Sequence, residues 1–241
     1  MKAILLAAGY GSRLRPLTEK TPKCLVEING TPLLEIWLNR LSRQGVSEIL
    51  INTHYLDGNV RSFIESYLRK NKRLSVELRY EEVLLGTAGT VWFHQDFIGN
   101  DNCVIINSDN LSDVDISKIF QFHKHCDGIA TLAYFEKENP AGCGLMEIGP
   151  RSIITRFEEK PATPFSRLTY AGIQVLNGKI FEVLPLGEMR EKKFCGLDFG
   201  YDIFPKLVGK MFGYKLNCLL LDIGDMTSYR LANKIWEEVS Q

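Results

Sequence analysis

The sequence predicts an α/β protein with a mostly parallel sheet flanked by helices. Three observations carry this prediction. Short apolar runs alternate with amphipathic helical patterns through the first half of the chain. A glycine-containing turn follows the first apolar run, as at the carboxyl edge of a Rossmann-like sheet. After about residue 128, short strand patterns follow one another between Gly/Pro-rich turns, which predicts a mixed sheet and a β-rich second half.

The strict alternation in the first half implies parallel strands with right-handed crossovers, so that ligands bind beyond the carboxyl ends of the strands. A helix over residues 32–43 has the clearest periodicity of apolar side chains. Strands are predicted at residues 3–7, 48–53, 76–80 and 103–107, and further helices at 59–69, after Gly86 and at 116–125. The turns after residues 8 and 107 and the turn at Gly86 therefore become candidate ligand sites.

The second half is predicted to carry most of its residues in strands. These strands are placed at residues 129–135, 145–148, 153–158, 171–176 and 215–221, with helices at about 201–208 and 228–239. No linker or repeat divides the chain, so we expect a single domain over residues 1–241, with halves of about 1–128 and 129–241.

Composition restricts the possible partners. The 241 residues are 45% hydrophobic and 24% charged, and 29 basic residues balance 29 acidic ones. A balanced charge argues against nucleic acid and anionic membrane as partners, because both select basic surfaces. Six cysteines form no CxxC pair, and no run reaches the roughly 20 apolar residues that span a bilayer. We expect a cytoplasmic protein with reduced thiols.

The opening segment, residues 3–33, reads AILLAAGYGSRLRPLTEKTPKCLVEINGTPL. Backbone N–H groups can approach phosphate oxygens closely at Ala8, Gly9 and Gly11, and Arg13 can clamp two oxygens at once. A dinucleotide fingerprint is excluded because Leu14 stands where its third glycine belongs, and no Gly-Lys-Ser/Thr completes a Walker loop. The turn predicts a different site for an anionic, phosphate-bearing ligand.

This loop closely resembles the signature of the sugar-1-phosphate nucleotidyltransferases, which join a nucleoside triphosphate and a sugar 1-phosphate into a nucleoside-diphosphate sugar and pyrophosphate. The resemblance runs from Lys2 to about Tyr229. Further segments follow in the family's order, at residues 86–89 (GTAG), 107–110 (NSDN), 158–161 (EEKP) and 222–224 (DIG). The chain is similar to the short members, which include mannose and heptose guanylyltransferases of cell-envelope polysaccharide synthesis.

The resemblance implies a role for each matching residue. It implies that Arg13 and Lys23 are catalytic and bind phosphates, and that Asp109 and Asp222 hold a Mg²⁺ cofactor. It implies that the nucleotide-binding residues are Ala8, Gly9, Gly11, Gly86, Thr87 and Ala88. It implies that the sugar-phosphate-binding residues are Gly144, Glu159, Lys160 and Gly172.

Structural alternatives stay open at several of these positions. Asp109 could instead cap the turn into the helix at 116–125, and Thr87 could be a helix N-cap. Ser108 replaces the family's usual glycine, and Asp225-Met226 replaces its Thr-Pro. Asp225 is interpreted as the N-cap of the last helix in preference to an extra carboxylate near the metal. His54, just beyond a strand, stays open as a ligand contact.

The favoured function is guanylyl transfer from GTP, because the Gly-Thr-Ala-Gly turn is the form typical of guanylyltransferases. Uridylyl, thymidylyl or cytidylyl transfer in the same family is the alternative. A non-catalytic homologue that senses nucleotide or sugar phosphate is disfavoured by the presence of both aspartates, Arg13 and Lys23. A nicotinamide-dependent dehydrogenase lacks the required third glycine and ribose-binding acid. The sequence leaves the sugar open, and also whether the chain forms a homo-oligomer.

Overall fold

The computed structural model describes residues 1–183 and 195–239. The strands within these ranges are β1 Lys2–Leu6, β2 Glu27–Ile28, β3 Thr31–Pro32, β4 Glu48–Thr53, β5 Ser75–Tyr80, β6 Asn102–Asn107, β7 Asn110–Ser112, β8 Ala130–Glu136, β9 Gly144–Ile148, β10 Ile154–Glu159, β11 Leu168–Asn177, β12 Met211–Lys215 and β13 Leu220–Asp222. The α-helices are α1 Leu33–Arg43, α2 Asp57–Lys70, α3 Thr87–Phe93, α4 Gln95–Ile98, α5 Ile116–Cys126, α6 Ile180–Val183 and α7 Met226–Val239.

The described chain divides into two compact units that are discontinuous in sequence. The first unit contains Met1–Glu82, Ile106–Val114 and the described residues from Cys218 onward. The second contains Val83–Ile105 and the described part of Asp115–Asn217. The predicted halves met near residue 128, whereas here the chain leaves the first unit and returns to it twice.

The first unit has the predicted alternation of strand and helix. β4 pairs in parallel with β1 and with β5, and its Glu48 stands opposite Lys2 and Ser75. α1 buries Trp37 and four leucines at helical spacing, as the sequence pattern indicates. The prediction of a parallel βα arrangement is confirmed for these elements.

The predicted strand at 215–221 is wrong, because this segment forms two separate strands. β12 lies parallel to β8, whereas β13 pairs antiparallel with β7 and brings Asp222 opposite Asn110. Between them, the Leu219 N–H donates to the Asp113 carboxylate at 2.7 Å. An apolar run shows that backbone is buried but does not reveal where the chain changes its pairing partner.

The second unit is rich in strands, as predicted. β8 and β9 both pair antiparallel with β11, and β9 pairs antiparallel with β10. The helix predicted at 201–208 is irregular: a wide turn over Phe199–Ile203 leads into a 3₁₀ turn over Phe204–Leu207. Pro205 contributes to this irregularity, since proline cannot donate the backbone hydrogen bond of a regular helix.

Candidate active site

In the first unit, the glycine loop after β1 is fixed at its base by a buried polar pair. The Ala7 N–H donates to Asn52 Oδ1 at 2.8 Å, and Asn52 Nδ2 donates to Glu81 Oε1 at 2.9 Å. Asn52 and Glu81 are almost fully buried. Neither residue was among the predicted site residues, although an asparagine at the end of an apolar strand is a visible sign of such a contact.

Two glycines of this loop have different physical roles. Gly11 has a φ of +63°, and a Cβ there would lie 3.0 Å from side-chain atoms of both Lys23 and Thr18. The Thr18 hydroxyl also donates to the Gly11 carbonyl at 2.8 Å. A Cβ on Gly9 would meet no atom within 4 Å. Gly11 is therefore needed for the loop's own conformation, whereas Gly9 leaves open space where a ligand can approach the backbone.

His54 is bound within the protein through both ring nitrogens. Its Nδ1 lies 2.7 Å from the Glu81 carbonyl oxygen, and its Nε2 lies 2.9 Å from the Tyr10 hydroxyl. Because a carbonyl only accepts, we assign the proton of the neutral ring to Nδ1, and Nε2 accepts from Tyr10. His54 thus supports the glycine loop at Tyr10.

Beside the glycine loop, one ammonium group lies between two carboxylates. Lys23 Nζ donates to Asp109 Oδ2 at 2.7 Å and lies 4.0 Å from Asp222 Oδ1. The Ile223 N–H donates to the Asp109 carbonyl at 2.9 Å, which joins the two acidic turns through the backbone. The capping alternative for Asp109 is excluded, because Asp115 caps α5.

Arg13 lies beside the same turn. A Cβ on Gly224 would lie 3.0 Å from Asp222 Oδ2 and 3.1 Å from Arg13 Nη2. We call Arg13, Lys23, Asp109 and Asp222 the phosphate cluster. Two cations and two anions with free access to solvent at Arg13 form a suitable environment for phosphates and a divalent cation together.

Asp225 is the N-cap of α7, so that interpretation is confirmed. Its Oδ1 accepts from the N–H groups of Thr227 and Ser228, each at 2.9 Å. Hydrogen bonding from the Ser228 backbone is the main cause that lowers the pKa of this carboxyl, and the charge of Arg13 adds a smaller contribution. One oxygen of this carboxylate is therefore committed to the helix start.

The carboxylates present suit Mg²⁺ shared with a substrate better than a site made by protein alone. Within residues 1–183 and 195–239, no group of three or more His, Cys, Asp or Glu side chains could hold a metal ion. Mg²⁺ is commonly held by one or two carboxylates together with waters and substrate phosphates. Asp109 and Asp222 fit that description.

In the second unit, the Gly86 turn packs directly on the backbone around Leu197. Gly86 has a φ of +84°, and a Cβ there would overlap the Leu197 carbonyl oxygen. That oxygen accepts from the N–H groups of Ala88 and Gly89 at 3.0 and 3.2 Å. Thr87 is the first residue of α3 and does not cap it, because its hydroxyl donates instead to Asp198 at 2.8 Å.

Glu159 is held between two glycine backbones. A Cβ on Gly144 would lie 2.5 Å from Glu159 Oε2, and one on Gly200 would overlap the same oxygen. The Glu159 side chain is 13% exposed, and Lys160 Nζ lies 3.7 Å from its Oε1. Burial raises the pKa of Glu159, with the charge of Lys160 opposing the rise. The carboxylate is thus poorly solvated and available to hydrogen-bond a polyol.

Comparison with known proteins assigns the family. The sequence profile of the family described as "Nucleotidyl transferase" matches residues 2–238. The chain belongs to the nucleotidyl transferase family. Mannose-1-phosphate guanyltransferase 2 of Candida glabrata is 29% identical to this protein over 93% of the chain and 61% of the relative. A UTP–glucose-1-phosphate uridylyltransferase of Synechocystis sp. is 29% identical over 95% of the chain and 61% of the relative.

Two solved structures share this fold. A protein from Bacillus anthracis assigned as a glucose-1-phosphate thymidylyltransferase, in complex with a sucrose, matches with a TM-score of 0.84 and 27% identity over 98% of this chain and 94% of its own. HddC from Yersinia pseudotuberculosis matches with a TM-score of 0.77 at 24% identity over 98% and 99%, which shows the fold alone. The predicted α/β class is confirmed.

The chain spans about 61% of the length of the curated relatives it matches. Within the part of the chain that the structure describes, no helix has both the length and the apolarity to cross a bilayer.

Proposed function

We propose that this nucleotidyl transferase uses Mg²⁺ to move a nucleotidyl group from a nucleoside triphosphate, GTP first, to a sugar 1-phosphate. The observation that carries the proposal is the meeting of Asp109 and Asp222 at Lys23, with Arg13 beside them. Their sequence motifs are far apart, and a merely structural ion pair would not also need a glycine loop with open space at Gly9.

The phosphate cluster neutralises charge along the triphosphate. Arg13 binds the β- and γ-phosphates, Lys23 turns to the α-phosphate, and backbone N–H groups of the loop bind the remaining oxygens. An oxygen of the sugar phosphate attacks the α-phosphorus in line, the bond to the bridging α–β oxygen breaks, and pyrophosphate leaves. A Mg²⁺ ion held by Asp109 and Asp222 would supply further charge neutralisation at the phosphates.

The chain contributes position and charge, and no protein nucleophile is needed, because the sugar phosphate is already ionised at neutral pH. Glu159 accepts hydrogen bonds from sugar hydroxyls, Lys160 binds the sugar phosphate, and Gly172 lets the ring approach the backbone. Gly144 instead makes room for the Glu159 carboxylate itself. The Gly86–Ala88 backbone reads the edge of the base. Support for this sugar side comes from the largely buried position of the Glu159 side chain between two glycines.

GTP with mannose 1-phosphate is the first substrate pair. Guanyltransferases of mannose 1-phosphate from Candida glabrata and Pichia angusta are among the similar proteins, at 29% and 30% identity. UTP with glucose 1-phosphate is the second candidate, because the Synechocystis uridylyltransferase is equally similar.

Pyrophosphate release, measured over a grid of nucleoside triphosphates and sugar 1-phosphates with Mg²⁺, tests the function. We expect one pair to dominate, and Asp109→Asn and Asp222→Asn each to lower its turnover at least 100-fold. Asp225→Asn is the matched control, since it removes a neighbouring charge but keeps a capping side chain. Full turnover in both aspartate variants would contradict the metal assignment, and no release with any pair would contradict the function.

A further inference from the structure

We propose that Asp198 is a positioning residue that joins the nucleotide-binding turn at Gly86 to the sugar-binding carboxylate of Glu159, so that filling one subsite changes affinity at the other. The inference rests on the proposed function. All of its contacts lie within the second unit.

The Thr87 hydroxyl is one end of this connection. It donates to Asp198 Oδ2 at 2.8 Å and accepts from the Phe199 N–H at 2.9 Å. Its single proton is therefore committed to the protein, so this hydroxyl cannot donate a hydrogen bond to a nucleobase. The side chain serves to hold the turn against the segment that begins at Asp198.

The other carboxylate oxygen of Asp198 holds the sugar side. Oδ1 accepts from the N–H groups of Gly200 and Tyr201 at 2.8 and 3.2 Å. Gly200 is the residue whose backbone lies so close to the Glu159 side chain that a Cβ there would have to displace it. A shift of Asp198 must therefore move the backbone that confines Glu159.

The two ends are also fixed at the backbone. The Leu197 N–H donates to the Leu85 carbonyl, and the Leu197 carbonyl accepts from Ala88, both at 3.0 Å. The Asp198 N–H donates to the Asp202 carboxylate at 2.7 Å. With these bonds in place, the Gly86 turn and the segment that begins at Leu197 cannot move far independently of each other, because packed elements move as units.

Thermodynamic linkage makes the expected effect reciprocal. If bound nucleotide orders the Gly86 turn, the same ordering prepares Glu159, and the factor by which nucleotide raises sugar-phosphate affinity equals the reverse factor. The charge of Asp198 also raises the pKa of Glu159, after the larger effect of burial. Removing that charge should therefore shift the acid limb of sugar-phosphate binding to lower pH.

The test uses the best substrate pair from the pyrophosphate grid with three variants of the full chain. Thr87→Val removes the hydroxyl at constant shape, Thr87→Ser retains it, and Thr155→Val removes a hydroxyl bond elsewhere in the unit. We expect Thr87→Val to raise the KM for sugar 1-phosphate at least threefold, although Thr87 belongs to the nucleotide turn. Thr155→Val should remain within twofold of the wild type, and Thr87→Ser should recover most of the sugar 1-phosphate affinity that Thr87→Val loses.

Asp198→Asn gives an independent reading and covers the case in which Thr87→Val does not fold. We expect a higher KM for sugar phosphate, an acid limb moved to lower pH, and effects that do not add in the Thr87→Val/Asp198→Asn double variant. The link is overturned if Thr87→Val and Asp198→Asn alter only the nucleotide KM, or if Thr87→Ser loses as much as Thr87→Val. A wild type that releases no pyrophosphate would remove both the function and the link.

Discussion

At the scale of single residues, two glycines of the same loop, Gly9 and Gly11, are needed for different physical reasons. Gly11 is required by its left-handed φ and by its contacts with Lys23 and Thr18, whereas the Cβ position of Gly9 is empty. Both positions look alike in the sequence. Only the coordinates show which glycine serves the fold and which leaves room for a ligand.

Replacing Gly9 by alanine should therefore affect ligand binding and not folding. We expect Gly9→Ala to melt at or slightly above the wild-type temperature, since alanine restricts the unfolded chain, and to raise the KM for the nucleoside triphosphate about tenfold or more. Gly11→Ala is the contrasting variant and should lower the melting temperature by a few degrees, for a strain of about 1–2 kcal/mol. Thermal unfolding and initial rates measure both. An unchanged nucleotide KM in Gly9→Ala would contradict the placement of phosphate at this loop.

Lys23 is the counter-ion of both acidic side chains and should therefore compete with a metal ion. Its side chain is 12% exposed, and its ammonium contacts Asp109 directly. We expect Lys23→Met to bind Mn²⁺ more tightly than the wild type without nucleotide, by about tenfold or ~1.4 kcal/mol, while losing transfer activity. Electron paramagnetic resonance of free Mn²⁺ measures the affinity.

Lys20→Met is the matched control for that experiment, because it removes the same charge from an exposed position of the same loop. Equal Mn²⁺ affinity in the two variants would show that Lys23 does not occupy the cation's place.

Glu159 should make sugar-phosphate binding sensitive to mild acid. Burial raises its pKa above the ordinary value of 4.5, so the carboxylate is lost at a higher pH than in an exposed glutamate. We expect the KM for sugar 1-phosphate to rise on acidification before the KM for nucleotide does. Glu159→Gln should abolish this difference and lower kcat/KM about 10- to 100-fold, the ~1.5–3 kcal/mol of hydrogen bonds to a charged group.

The raised pKa of Glu159 also affects the stability of the fold, and acidification should, through this group, stabilise the fold while it weakens sugar-phosphate binding. A carboxyl whose pKa is higher in the folded than in the unfolded chain loses native stability as pH rises through that range. Glu159→Gln should therefore melt no lower than the wild type at pH 8, and its advantage should shrink on acidification. A clearly lower melting temperature at pH 8 would show that the carboxylate stabilises the fold instead of serving the ligand.

At the scale of elements, the two acidic residues near the start of α7, Asp222 and Asp225, have different contacts. Asp225 follows Asp222 closely, but its carboxylate accepts two backbone N–H groups of the helix. We expect Asp225→Ala to lose about 1 kcal/mol, or roughly 2–4 °C, and Asp225→Asn to lose much less. Both should keep the wild-type Mn²⁺ affinity. Weaker Mn²⁺ binding in Asp225→Asn would assign this carboxylate to the metal after all.

Elements with a strong local pattern were predictable, and those defined by pairing were not. The apolar face of α1 is visible in its periodicity, and the structure reproduces it to within one residue. β7 has three residues and β13 has three, too few for any pattern. Yet their pairing brings Asp222 opposite Asn110, next to Asp109, so the least predictable elements assemble the phosphate cluster.

At the scale of the whole molecule, the chain supplies each unit from separated segments. In the first unit, Asp109 lies in the short segment Ile106–Val114 and Asp222 lies in the last segment. In the second unit, Thr87 comes before that short segment in the sequence and Asp198 comes after it. The predicted boundary near residue 128 was placed where the pattern of strands and helices changes along the sequence. The two compact units are instead defined by contacts between segments that are distant in the sequence.

The amino-acid sequence by itself determined the α/β class and the phosphate-suited character of the first loop, because periodicity, turn chemistry and charge are local properties. The candidate metal and sugar residues came from the resemblance of the motifs, in their order, to the family. The tertiary structure alone decided which of those residues meet. It paired Lys23 with two aspartates and used His54 and Asp225 for structural bonds. It also connected Thr87 to Asp198. Such contacts depend on long-range packing and strand pairing, and a pattern along the sequence does not give the spatial distance between residues that are far apart in the chain.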